Sequence, residues 1–182
     1  MTETNAMLQT LVEGLPPAFF DMPLECIFAD NFRCRALCSV LHQIAGGENV
    51  ELTTLRVTLR FLRFDFANHV ADEEQALFLL LRERVLASDG LEPVFTELCF
   101  QPDLSDRVVD GLEGLQASRN GRCPRPGFRK LLESFVKTER RRVSVENVVL
   151  LPFARQRLSQ GDLAWLGRAM RSRRLSNVAH AN

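Results

Sequence analysis

The sequence predicts an all-α protein, an up-down-up-down antiparallel four-helix bundle with a short fifth helix at its C-terminal end. Three observations predict this. Apolar residues recur at three- and four-residue steps through most of the chain, the spacing that collects them on one helix face. No stretch alternates apolar and polar residues as a half-buried strand would. Ten Gly and eight Pro among 182 residues leave little material for the many turns of a sandwich or barrel. At this length, with 46% hydrophobic residues, the chain can bury the core of one compact domain.

Each element has its own signals. Residues 1–20 read as an N-terminal arm: polar at first, then Pro16-Pro17, which cannot be helix interior, then Phe19-Phe20, which pin the arm to the domain. The bundle is expected over 21–158. Its first helix starts with Asp21 as a cap and Pro23 in an early helical position, and it stops at Gly46-Gly47. Ile27, Asn31, Cys34, Cys38, Leu41 and Ala45 make its inward stripe, with Arg33, Arg35 and Gln43 falling off it. The second helix runs from about Val50 to Leu86 through Leu55, Leu59, Leu62, Phe66, His69, Glu73, Ala76 and Leu80, with a bend expected near Asn68. The third spans about Leu91 to Ala117, and Pro102 inside it must kink or break it. After a loop at 118–127, the fourth covers Phe128 to Leu158 through Leu132, Phe135, Glu139, Arg142, Glu146 and Phe153. Ser159 with Asp162 forms a capping box for a C-terminal helix over 159–174, and 175–182 is expected to be a flexible tail.

Charge and cysteine content exclude several functions. Lys+Arg and Asp+Glu both number 23, so the net charge is zero and no basic field attracts nucleic acid. Arg168, Arg171, Arg173 and Arg174 are read as cations favoured at a helix C-terminus and then a solvated tail, in preference to a binding patch. No apolar run is long enough to span a membrane, and the first fifteen residues carry Glu3 and Glu13 without the pattern of a signal peptide. A cytoplasmic protein with reduced thiols is therefore expected. The five cysteines lack zinc-ribbon spacing. Cys123, beside Arg122 and Arg125, is a candidate redox thiol, because nearby positive charge lowers a thiol pKa. With no nucleophile–base pair, phosphate-binding Gly loop or Cys-x-x-Cys unit, the chain is not expected to be an enzyme.

The informative pattern is where polar residues interrupt the apolar stripes. Asn31, then His69 and Glu73, then Glu139, Arg142 and Glu146 all fall mid-helix, so alternating helices can place them in one layer. His69 and Glu73, four residues apart, share a helix face. Buried carboxylates are costly unless a cation, a metal or strong donors accompany them. The layer needs positive charge.

Three blocks then carry a resemblance. Asp30-Asn31-Phe32-Arg33-Cys34-Arg35 is similar to an Asp-His-x-Arg-x-Arg block, and His69-Val70-Ala71-Asp72-Glu73-Glu74 with Leu77-Phe78 matches a His-x-x-x-Glu block. Val145-Glu146-Asn147-Val148-Val149-Leu150-Leu151-Pro152 is similar to the block holding a last carboxylate ligand. Over most of residues 20–174 the chain resembles bacterial hemerythrin-like proteins of the HHE cation-binding type, in which histidines and two bridging carboxylates hold a non-haem di-iron centre. The resemblance implies metal-ligand roles for His69, Glu73 and Glu146. At other ligand positions the chain departs. Asn31 and Arg142 stand where histidines belong, Gln101-Pro102 replaces a Glu-His pair, and Asp106 is left as a relic one turn on. An amide oxygen is a poor iron ligand, and guanidinium cannot ligate.

The favoured reading is a non-catalytic hemerythrin-like protein that has lost most di-iron ligands, a regulatory or binding protein with a protein partner and no cofactor. Arg142 then replaces the metal charge and lies within reach of Glu146, Glu73 or both. The alternative is a residual mononuclear Fe or Zn site of His69, Glu73 and Glu146 used in oxygen or redox sensing. A Cys34 or Cys38 thiolate supplementing His69 is a further, weaker option; buried Cys more often acts as a small hydrophobe.

Overall fold

A computed structural model describes residues 3–46, 50–98, 102–118 and 126–180. In chain order its helices are α1 (Glu3–Val12), α2 (Pro23–Gly46), α3 (Leu52–Arg60), α4 (Ala67–Asp72), α5 (Phe78–Arg84), α6 (Glu92–Leu98), α7 (Pro102–Ala117), α8 (Pro126–Val145), α9 (Leu151–Arg157) and α10 (Gln160–His180). Three π-helical segments continue the helical path without a break: Phe61–Phe66 after α3, Glu73–Leu77 after α4 and Glu146–Leu150 after α8. Short 3-10 turns cover Pro17–Asp21 and Ala87–Asp89. Among the described residues there is no strand, so the all-α class holds. None of these helices is long and apolar enough to cross a membrane.

Contacts divide the chain into two compact units, each assembled from three separate stretches. The first unit comprises Met1–Gly14, Phe32–Phe66 and Gln101–Val143. Here α3 packs on both α1 and α7. Leu11, Leu41, Leu55, Leu59, Val108, Leu112 and Leu132 are buried, as their three- and four-residue spacing requires. The Phe66 and Phe135 rings meet at 5.7 Å. Gly111 is needed where it stands, since a Cβ there would lie 2.0 Å from the Phe128 ring. The N-terminal arm is thus largely a helix. Arg33 ties α1 down by donating to the carbonyls of Thr10 and Leu11, while its guanidinium pairs with Asp65 at 2.8 Å. Arg33 was placed outside the inward stripe by sequence, yet it is only 6% exposed, because a long side chain can bury its stem and still reach backbone and carboxylate acceptors.

The second unit comprises Leu15–Asn31, Ala67–Phe100 and Ser144–Asn182. Its core joins Phe20, Leu24, Ile27, Leu77, Leu81, Phe95, Leu98, Leu150, Leu151, Leu166 and Met170. Phe20, expected to be an anchor, is part of this core. The C-terminal helix packs on the Pro17–Asp21 turn and on α4. Gly167 permits that approach, because a Cβ there would sit 2.1 Å from the Phe20 carbonyl oxygen.

The expected capping box is present. Asp162 N–H donates to Ser159 Oγ at 3.1 Å, and Ser159 N–H donates to Asp162 Oδ2 at 3.0 Å. Arg84 adds a two-pronged pair to the same carboxylate, at 2.9 and 3.1 Å. The hydrogen bonds from Arg84, then those from the Ser159 N–H and hydroxyl, hold the Asp162 carboxyl well below its ordinary value of 3.8. A lowered folded-state pKa gives stability that is fully present above the unfolded value and is lost as pH falls through the folded one. Denaturant unfolding followed downward from pH 5 should therefore show a loss of stability below about pH 4 that is shallower in Asp162→Asn. Identical acid profiles for parent and variant would contradict this role.

Two helix bounds differ from those the sequence spacing predicts. Pro102 does not lie inside a helix running from Leu91 to Ala117: α6 ends at Leu98 and Pro102 is the first residue of α7, where a missing N–H costs nothing. Residues 99–101, including Gln101, lie outside the described residues. The C-terminal helix is assigned over Gln160–His180, where the sequence spacing predicts 159–174.

Candidate metal centre

In the second unit, the sequence brings three ligand-type side chains to one point. α4 supplies His69, and Glu73 follows one turn on, so His69 Nε2 lies 3.2 Å from Glu73 Oε1. Glu146 completes the group: one ligand atom from each of the three falls within 4.8 Å of the other two. All three side chains are at most 1% exposed. These are the residues the resemblance singled out.

Sequence reading missed the backbone that presents them. Glu73 and Glu146 each open a five-residue π-helical segment, in which the N–H of Phe78 bonds back to the Glu73 carbonyl and that of Leu151 to the Glu146 carbonyl. An i to i+5 bond widens the turn, and such segments concentrate at functional sites. The far ends of both, Leu77 and Leu150, are locked into the buried apolar core of the unit. Each carboxylate is thus carried by a locally altered helix with an apolar anchor. The sequence signal was only indirect, a Glu standing at a core position.

The departed positions are also placed. Asn31 is fully buried, and its Nδ2 donates to Asn147 Oδ1 at 3.0 Å, next in sequence to Glu146. In the first unit, Arg142 is 4% exposed and grips Glu139, one turn earlier, with Nε and an Nη each 3.0 Å from a carboxylate oxygen. Its guanidinium carbon also lies 5.8 Å from the Phe66 ring centre. Glu139 is therefore a partner of Arg142, a pairing that sequence did not specify although both residues stood on the same stripe. Asp106 is exposed on α7. Cys123 lies outside the described residues. Cys34 and Cys38 are buried, and burial, reinforced by Glu139, pushes the Cys38 thiol up to about 12.

A second charged cluster was not foreseen. Arg173 and Arg174 of α10 both bond the fully buried carboxylate of Asp72, and Arg174 also donates to Asp30 at 3.0 Å. These arginines are about one-fifth exposed, not the solvated cations expected. Burial pushes the Asp72 carboxyl up, and the two guanidiniums pull against it. Burial works against the Arg174 charge, and Asp72 and Asp30 outweigh it. The cluster joins the residue next to Glu73 to the C-terminal helix. The sequence blocks held both aspartates, but nothing local linked them to arginines more than a hundred positions away.

Compared with known families, residues 22–154 match the model of the hemerythrin HHE cation-binding domain, well over half of the 182 residues. The chain belongs to the hemerythrin HHE family. No curated protein and no solved structure matches it. The family implies a bound cation, and the donor chemistry at His69, Glu73 and Glu146 fits one: two carboxylates and an imidazole, buried and mutually close.

Proposed function

We propose that this hemerythrin-family protein holds one metal ion, not a pair, and that it serves as a regulatory or binding protein for a protein partner, not as an enzyme. The convergence of His69, Glu73 and Glu146 within 4.8 Å in a buried setting carries the reading. Two carboxylates and one imidazole suit iron or zinc. A bound ion would supply a Lewis-acidic or, as iron, a redox-active centre for sensing oxygen or redox state.

The chain's own residues do the holding. His69 and Glu73 are oriented by a single turn, and Glu146 is fixed by its own π segment. Asn31 directs its amide NH2 to Asn147 where the family would place an imidazole. Arg142 stands where it would place another, and a guanidinium cannot ligate a metal. The chain has three histidines in all, and His42 is exposed, so a histidine-rich pair of irons lacks its donors.

Zinc(II) titrated into metal-stripped protein should saturate at one equivalent. His69→Ala and Glu146→Gln should each weaken binding by more than the roughly 10–100-fold that loss of an outer partner costs, with far-UV circular dichroism confirming that the variants fold. Unchanged affinity in both variants would defeat this assignment.

A further inference from the structure

The outer face of α2 is not that of an ordinary surface helix. α2 runs unbroken from Pro23 to Gly46, so its periodicity fixes which side chains share a face. On the side away from the buried stripe, Phe28 is 52% and Phe32 is 62% exposed. They stand four residues apart and therefore adjoin. Ala29 and Ala36, both small, flank them. Two large aromatic rings in water, side by side on one helix, mark a surface that is covered by something.

The charges bordering this face say by what. Glu25 and Arg35 lie on the same stripe, at the spacing 25, 28, 32, 35 that keeps residues aligned along a helix. The stripe is symmetric about its midpoint, with an acid and an aromatic before it and an aromatic and a base after it. Laid against itself in antiparallel register, it puts Phe28 against Phe32 and Glu25 against Arg35, twice over, as a two-fold interface demands. A parallel arrangement would oppose Glu25 to Glu25 and Arg35 to Arg35. Glu25 already touches Arg155 at 3.5 Å, but both are about half exposed, and such a surface pair is too weak to prevent re-pairing.

We infer that this face of α2 is the interface with a second copy of the same chain, packed antiparallel about a two-fold axis, with Phe28 and Phe32 as apolar anchors and Glu25 with Arg35 setting the register. The inference does not depend on metal content. Small side chains at Ala29 and Ala36 allow the two helices to approach closely.

Sedimentation velocity over a wide concentration range should show the 20.6 kDa chain associating to a species of twice that mass. Phe28→Ser with Phe32→Ser should raise the dissociation constant by roughly thirty-fold or more, the scale of losing interface anchors, with unchanged circular dichroism. Glu25→Arg alone and Arg35→Glu alone should each weaken the dimer by setting like charges together. The two combined in one chain should restore it, because the swapped pair is again complementary. A chain that stays single at every concentration, a dimer indifferent to the two serines, or a double charge swap that fails to recover association would each overturn the inference. A different protein covering the face would show as the first of these.

Discussion

Arg142→Ala should lower the stability of the folded protein at neutral pH by about 3–5 kcal/mol, the usual cost of removing one partner of a buried ion pair. Arg142 and Glu139 are 4% and 3% exposed, and two hydrogen bonds of 3.0 Å join them as a fork. Truncating the arginine strips both bonds from a carboxylate that has almost no access to water. It also removes a cation from beside the Phe66 ring. Arg142→Lys should recover only part of the loss, since an ammonium presents one point where the guanidinium presents two. Replacing Arg142 and Glu139 together by Leu should be less damaging than Arg142→Ala, because the Glu139 carboxylate is then not left behind without its guanidinium. Denaturant midpoints for the three variants check this; an alanine variant as stable as the parent would contradict it.

Arg174→Ala should cost about 3 kcal/mol, toward the lower end for a broken buried pair because Arg173 remains on Asp72. Arg174 bonds Asp72 and Asp30 and lies 4.9 Å from the Phe20 ring centre, so a single side chain joins α10 to α4, α2 and the Pro17–Asp21 turn. Removing both Arg173 and Arg174 should exceed the single loss, since the fully buried Asp72 then keeps neither guanidinium. Denaturant unfolding measures both. Equal midpoints for parent and double variant would show that α10 does not depend on this cluster.

Sequence revealed those features whose physics is local or periodic. The stripe Ile27, Asn31, Cys34, Cys38, Leu41 and Ala45 is buried at every position, because a 3.6-residue period alone decides it. His69, Glu73 and Glu146 stood out because a charged side chain on such a stripe needs a reason. The capping box at Ser159 and Asp162 was legible for the same local cause. What sequence did not show depends on distant partners. The π segments at Glu73 and Glu146 shift hydrogen bonds by one residue in response to tertiary packing, and no local residue type announces them. Arg33 with Asp65, and Arg174 with Asp30 and Asp72, are long-range pairs; from local context their arginines looked like surface charge. Pro102 was correctly read as incompatible with a helix interior. Whether it broke a helix or began one is decided by the residues before it.

The one-metal centre is most directly tested by elemental analysis of protein purified without chelators, read together with its visible absorption spectrum. The expected result is close to one iron or zinc per chain, held by His69, Glu73 and Glu146, with none of the oxo-to-iron charge-transfer bands of a di-iron centre. Two irons per chain with those bands, or only traces of any transition metal, would contradict it.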